Sequence, residues 1–168
     1  SAEPEEVESV LRSYHATMGE LIVEYGGTVD RFAGDGILIF FNDPLPVPDG
    51  AKRATSMALA MQEQFHPLRA QWSKLGYELD LGIGIAQGFA TLGAFGYEGR
   101  VDYTAIGSVV NLAHRLCNKA SAGEVLVDRK VRAALDDTAT VDTLAPLTLK
   151  GFAQPVPAFR LSGRAQAG

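Results

Sequence analysis

The chain has 168 residues, 46% hydrophobic and 21% charged, with a formal net charge of -5, which fits one globular domain with an ordinary core and excludes two full domains. The acidic excess excludes a broad electrostatic footprint for duplex nucleic acid and leaves room only for a local anion pocket built from a few placed groups. The single cysteine, Cys117, excludes an intrachain disulfide and any multi-cysteine metal site.

The opening residues, Ser1-Ala2-Glu3-Pro4-Glu5-Glu6, are acidic, unlike the basic start of a secretory signal. Apolar residues at Val7, Val10, Leu11, Tyr14, Met18, Leu21 and Ile22 then recur every three and four positions, which predicts a helix over 5–25 that Gly26 and Gly27 end. Residues 28–32 and 37–41 read as a β-hairpin around Gly34-Asp35-Gly36, because an Asp-Gly pair between apolar runs is a strong hairpin signal. Residues 42–49 hold three prolines and read as loop. A second helix is expected over 50–65, with Ala54, Met57, Ala58 and Met61 inward, a break at His66-Pro67 and a restart toward Trp72.

Residues 79–85 alternate apolar side chains with Asp80, Gly82 and Gly84, so a glycine-rich strand opens a second hairpin system, continued by 89–94 and 100–106 around a loop at 95–99. Gly107 or Ser108 starts a third long helix, to about Lys119, in which Cys117 reads as a buried thiol. A short strand at 125–127, a short helix at 129–135, and further short strands and turns complete the chain. The order helix, hairpin, helix, hairpin, helix predicts an α+β fold, one sheet with helices packed on it. No apolar run approaches the ~18 residues of a membrane helix. With the lone cysteine, this points to a cytoplasmic domain whose membrane attachment, if any, belongs to a parent protein.

Two stretches carry chemistry. Asp35 lies between two glycines, where it either simply makes the hairpin or leaves a carboxylate exposed beside the strand ends. Asn111 and Arg115 stand four apart, on one face of a helix whose first turn offers free N–H groups to anions. A first-turn Asn is ordinarily a cap and a mid-helix Arg ordinarily solvated, so each residue alone says little. A carboxylate for metal together with an Asn/Arg pair for phosphate is equipment for chemistry on a nucleoside triphosphate. His15, His66 and His114 show no ligand spacing.

The stretches Arg31-Phe32-Ala33-Gly34-Asp35-Gly36 and Asp102 through Leu116 together resemble the catalytic domain of class III nucleotidyl cyclases of bacterial type, and the resemblance runs over residues 5–161. It implies a ferredoxin-like α+β cyclase homology domain, mainly antiparallel, occupying 1–168 as a single catalytic domain. Asp35 matches one of the family's two metal-binding aspartates, which hold Mg²⁺ or Mn²⁺, two ions in a complete site. Asn111 matches the residue that orients the ribose, and Arg115 the one that stabilises charge on the reacting phosphate. Lys150, in Leu149-Lys150-Gly151, matches the lysine on the terminal phosphates. Arg31 and Thr104 match the pair that reads the purine. Adenylate-forming relatives usually have Lys at the first position and guanylate-forming ones Glu, so Arg31 departs from both while keeping a donor, and Thr104 suits either base.

The implied activity is conversion of ATP to 3′,5′-cyclic AMP and pyrophosphate. The alternatives are the same reaction on GTP, or an inactive cyclase-like regulatory or dimerisation module. Family members build composite sites across a head-to-tail homodimer. The family's first strand, ending in the second metal aspartate, has no counterpart ahead of residue 5. An N-terminally truncated domain with its first strand missing is therefore expected, one that rearranges, swaps elements between protomers or dimerises unusually. Neither nucleic acid nor membrane is an expected partner of the domain itself.

Overall fold

The computed structural model describes residues 4–33, 36–43, 46–97, 100–137 and 139–164. Helix α1, Pro4–Tyr25, buries Val10, Tyr14, Met18, Leu21 and Ile22 along one face, as the sequence period requires. It ends at Gly26, whose φ of 78° is left-handed; the N–H groups of Gly26 and Gly27 return to the carbonyls of Val23 and Ile22 at 3.2 and 2.9 Å. A residue without Cβ takes that step without steric cost, and the helix C-terminus is satisfied by it.

Strands β1, Thr28–Ala33, and β2, Gly36–Phe40, form the expected antiparallel hairpin; Gly34 and Asp35 lie outside the described residues. Its register slips between Val29 and Arg31, so Asp30 is an extra residue bulged out of β1.

Helix α2, Gly50–Ser73, runs unbroken through Pro67, where the sequence predicts a break. The reason is tertiary. Met61, Phe65 and Trp72 are buried on both sides of the proline, Leu68 packs with them, and Phe65 meets Trp72 edge-on at 5.3 Å. Burying this stripe outweighs the ~3 kcal/mol that an internal proline costs a helix.

Strand β3, Ile83–Ile85, is shorter than predicted and does not join the following hairpin of β4, Thr91–Tyr97, and β5, Arg100–Ile106. It pairs instead in parallel with β6, Val125–Val127, in a four-stranded sheet ordered β3-β6-β8-β7, where β7 is Ala139–Thr143 and β8 is Phe159–Arg164. A parallel pair requires a crossover, and α3, Ser108–Lys119, supplies it. The hairpins β1-β2 and β4-β5 stand as separate ribbons, so the single predicted sheet is three. The class, α+β with antiparallel pairs predominating, is as expected.

β6 is the middle of the core and is apolar on both faces. Val125 and Val127 pack with Ala58 of α2 and with Val131 and Leu135 of helix α4, Arg129–Leu135. Leu126 packs the other way, with Leu116 of α3, Leu149 and Ala158. The layer that includes α3 is therefore fixed against the central strand.

Asp128 joins these layers. Its buried carboxylate caps α4 by accepting from the Val131 N–H at 2.9 Å and reaches the Gln87 N–H at 3.4 Å. Burial pushes its pKa above 3.8, against the pull of those two N–H groups. A carboxyl raised in the folded state contributes stability fully below its unfolded pKa, and loses it as pH rises through the raised value. Replacing Asp128 by Asn is therefore expected to cost most at acid pH, the margin narrowing just above the usual carboxylate range. Asp128→Ala should cost about 1–2 kcal/mol through the lost cap. Thermal melts across pH on wild type and both variants check this.

Candidate active site

The site begins where two ribbons that share no ladder meet. The bulge turns Asp30 from β1 toward β5, where its carboxylate accepts the Thr104 hydroxyl at 2.8 and 3.0 Å and the Ala105 N–H at 2.8 Å. Ala105 is buried and Thr104 partly so. Arg31, next to Asp30, is exposed and makes no ion pair among the described residues; the aspartate that could have neutralised it is turned to Thr104 instead.

From Thr104 the chain passes Gly107, which accepts the N–H groups of Val110 and Asn111 at 3.1 and 3.4 Å, and enters α3. Asn111 is exposed. Arg115 is partly buried, and its Nε is shielded from solvent with no hydrogen-bond partner among the described residues. An orphaned buried donor on a permanently charged guanidinium is costly to the fold. Leu116 beside it is fully buried, so the backbone at Arg115 is held by the core.

What brings α3 so close is Gly84. A Cβ there would lie 2.3 Å from Cys117 N, 2.5 Å from Ala113 O and 2.8 Å from Leu116 C. Because backbone fills the contact, the Cys117 side chain is not buried as predicted but exposed, its thiol 3.4 Å from the Gly82 carbonyl.

Lys150 is exposed at a turn in which the Phe152 N–H reaches the Leu149 carbonyl at 3.1 Å and Gly151 takes a φ of 88°. Leu149, 3% exposed, packs in the same cluster as Leu116, so this turn and α3 are anchored to one piece of core. The structure thus ties Arg31 and Thr104 together through Asp30, and Arg115 and Lys150 through the core beneath them.

Asp35, the sequence-derived metal ligand, lies outside the described residues. Among the described residues no group of three or more His, Cys, Asp or Glu side chains could hold a metal ion. What these residues offer is positioning and charge, not a metal cage. His15 makes tilted ring contacts with Tyr14 and Phe32, and His114 contacts Asn118.

Asp30 is the residue to which the sequence analysis gives no role. The signal was present, since two successive polar residues between Val29 and Phe32 break the two-residue period of a strand, as one bulged residue does.

A sequence model of the adenylate and guanylate cyclase catalytic domain matches residues 1–163, and the chain belongs to that family of lyases. Adenylate cyclase 1 of Rhizobium meliloti (strain 1021) is 30% identical over 167 residues, covering 98% of this chain and 25% of that protein. The adenylate cyclase of Anabaena cylindrica is 36% identical over 116 residues, 68% of this chain and 23% of that protein. The chain thus spans about a quarter of the length of these curated relatives.

Among solved structures, the adenylyl cyclase CyaB from P. aeruginosa superposes with a TM-score of 0.89 at 34% identity, covering 96% of this chain and 84% of that one. The guanylyl cyclase Cya2 gives 0.88 at 33% identity, covering 99% and 85%. The chain is equally similar to enzymes named for different purines, so overall likeness does not choose the base. No helix among the described residues is long and apolar enough to cross a membrane.

Proposed function

We propose that this chain is the catalytic domain of an adenylate cyclase, converting ATP to 3′,5′-cyclic AMP and pyrophosphate. The observation that carries the choice of base is Arg31, a donor rather than a carboxylate, free of any ion pair among the described residues and next to the residue that holds Thr104. In the proposed pose Arg31 donates to adenine N1 and Thr104 accepts from the 6-amino group.

Asn111 orients the ribose so that its 3′-oxygen lies in line with the α-phosphorus and the bond to the leaving pyrophosphate. The 3′-oxygen bonds to the α-phosphorus as the bond to the bridging oxygen breaks, that oxygen leaves with pyrophosphate, and the hydroxyl proton passes to solvent. Charge accumulates on the phosphate oxygens, where the Arg115 guanidinium opposes it, while Lys150 holds the terminal phosphates. The family generally uses divalent metals, and Asp35 is the residue proposed to bind one; when bound, a metal supplies charge neutralisation on the triphosphate.

Two such chains, head to tail, are proposed to complete the sites. Exposed Phe32, Phe89 and Ile106, 56%, 98% and 54% accessible, offer apolar surface for that contact.

The test is cyclic nucleotide formation from ATP and from GTP with Mn²⁺, in the natural protein that contains this chain. Cyclic AMP as the main product is expected. Preference for GTP would overturn the base assignment, and silence on both nucleotides would favour a regulatory module.

A further inference from the structure

Thr104 is a hydroxyl with one proton and two lone pairs, so facing a base it can accept or donate, and by itself it tolerates adenine or guanine. Its surroundings remove that freedom. A carboxylate is acceptor-only, and Asp30 lies within 2.8 and 3.0 Å of the Thr104 oxygen, so the single hydroxyl proton is committed to Asp30. The Ala105 N–H, 2.8 Å from the second Asp30 oxygen, holds the carboxylate from the other side. Asp30 is there because of the bulge between Val29 and Arg31, a backbone irregularity that directs its side chain across to the neighbouring ribbon.

We infer that Asp30 is a specificity-determining positioning residue: by taking the Thr104 proton it leaves Thr104 only lone pairs to present to the base, and so selects a purine with an amino group at position 6. The inference rests on the adenylate cyclase reading, in which Arg31 and Thr104 face the purine edge. Adenine meets a donor at N1 and an acceptor at its 6-amino group. Guanine held in the same pose by its ribose meets a donor with its own N1–H and an acceptor with its own O6, so both contacts are mismatched.

The isosteric change Asp30→Asn reverses the switch. The amide oxygen must remain on the Ala105 N–H, which puts the amide NH₂ against the Thr104 oxygen. That NH₂ donates to Thr104 in place of the 2.8 Å acceptor, and the only acceptor left beside the hydroxyl is the amide oxygen at 3.0 Å, already taken by the Ala105 N–H, so the proton can turn toward the base, where it suits O6 of guanine and opposes the amine of adenine. Arg31 is untouched, so the change bears on one of the two contacts.

The experiment measures displacement of a fluorescent nucleotide by ATP and by GTP, with Mn²⁺, from wild type, Asp30→Asn, Thr104→Val and the double variant, alongside melting temperatures. The ATP-to-GTP affinity ratio is expected to fall about tenfold in Asp30→Asn. In the Thr104→Val background the same substitution should leave the ratio unchanged, because no hydroxyl remains to be turned; loss of stability alone would not produce that dependence. An unchanged ratio in Asp30→Asn, or an equal fall with and without the Thr104 hydroxyl, overturns the inference while leaving the cyclase reading standing. Wild type that binds neither nucleotide, or prefers GTP, overturns the reading on which it rests.

Discussion

Arg115→Ala is expected to lower kcat on ATP by about 10²–10³-fold while leaving nucleotide affinity nearly unchanged. In the proposed mechanism the guanidinium meets charge that develops only as the α-phosphorus is attacked, so its removal should reduce kcat and kcat/KM together. The same substitution deletes a buried Nε that has no partner among the described residues. Leaving such a donor unsatisfied costs about 1–3 kcal/mol, so the melting temperature should hold or rise as activity disappears. Loss of activity with held stability separates a residue acting on substrate from one that supports the fold. Arg115→Lys should recover little, since a point charge on a flexible stem does not reproduce a planar fork anchored next to fully buried Leu116. Unchanged kcat in Arg115→Ala would remove this residue from the mechanism.

The parts of this molecule legible in the sequence are those set by local rules. The bounds of α1 and α3 follow from apolar period and helix-end signals, and β6 and α4 fall where a short strand and a short helix are predicted. The pairing of Asn111 with Arg115 on one helix face is equally local. What sequence reasoning missed was set by contacts distant in the chain. Pro67 reads as a break because its cost is local, while the packing that overrides it comes from α1. Gly84 reads only as one position of a glycine-rich strand, but its role is to admit the backbone of a helix some thirty residues later. The partner of β3 could not be read from three residues, since only the crossover through α3 makes parallel pairing with β6 possible. Asp30 was the costliest omission, because the bulge that gives it a role is seen only against the register of β2.

The Gly84 contact yields the largest expected effect on stability. A methyl group there has no flexible neighbour to displace: all three nearest atoms, at 2.3, 2.5 and 2.8 Å, belong to the backbone of α3. Either α3 lifts from β3, which opens the packing of Leu116 against Leu126, or β3 separates from β6, which breaks their parallel pairing. Gly84→Val is expected to cost at least about 3 kcal/mol, with a fall in melting temperature of roughly 6 °C or more. Gly84→Ala should show a second effect, larger on activity than on folding. Relief of the overlap moves α3 bodily, carrying Asn111 and Arg115, and a displacement of ~1 Å is enough to cost about a hundredfold in turnover.

Gly19 provides the opposite case within the same chain. It lies inside α1 with nothing within 4 Å of an added Cβ, so Gly19→Ala should stabilise by about 0.5–1 kcal/mol through helix propensity alone. Melting curves and ATP turnover on the three variants check the contrast. If Gly84→Ala melts and turns over like wild type, then α3 is not held against β3 at this contact, and the placement of Asn111 and Arg115 depends on something else.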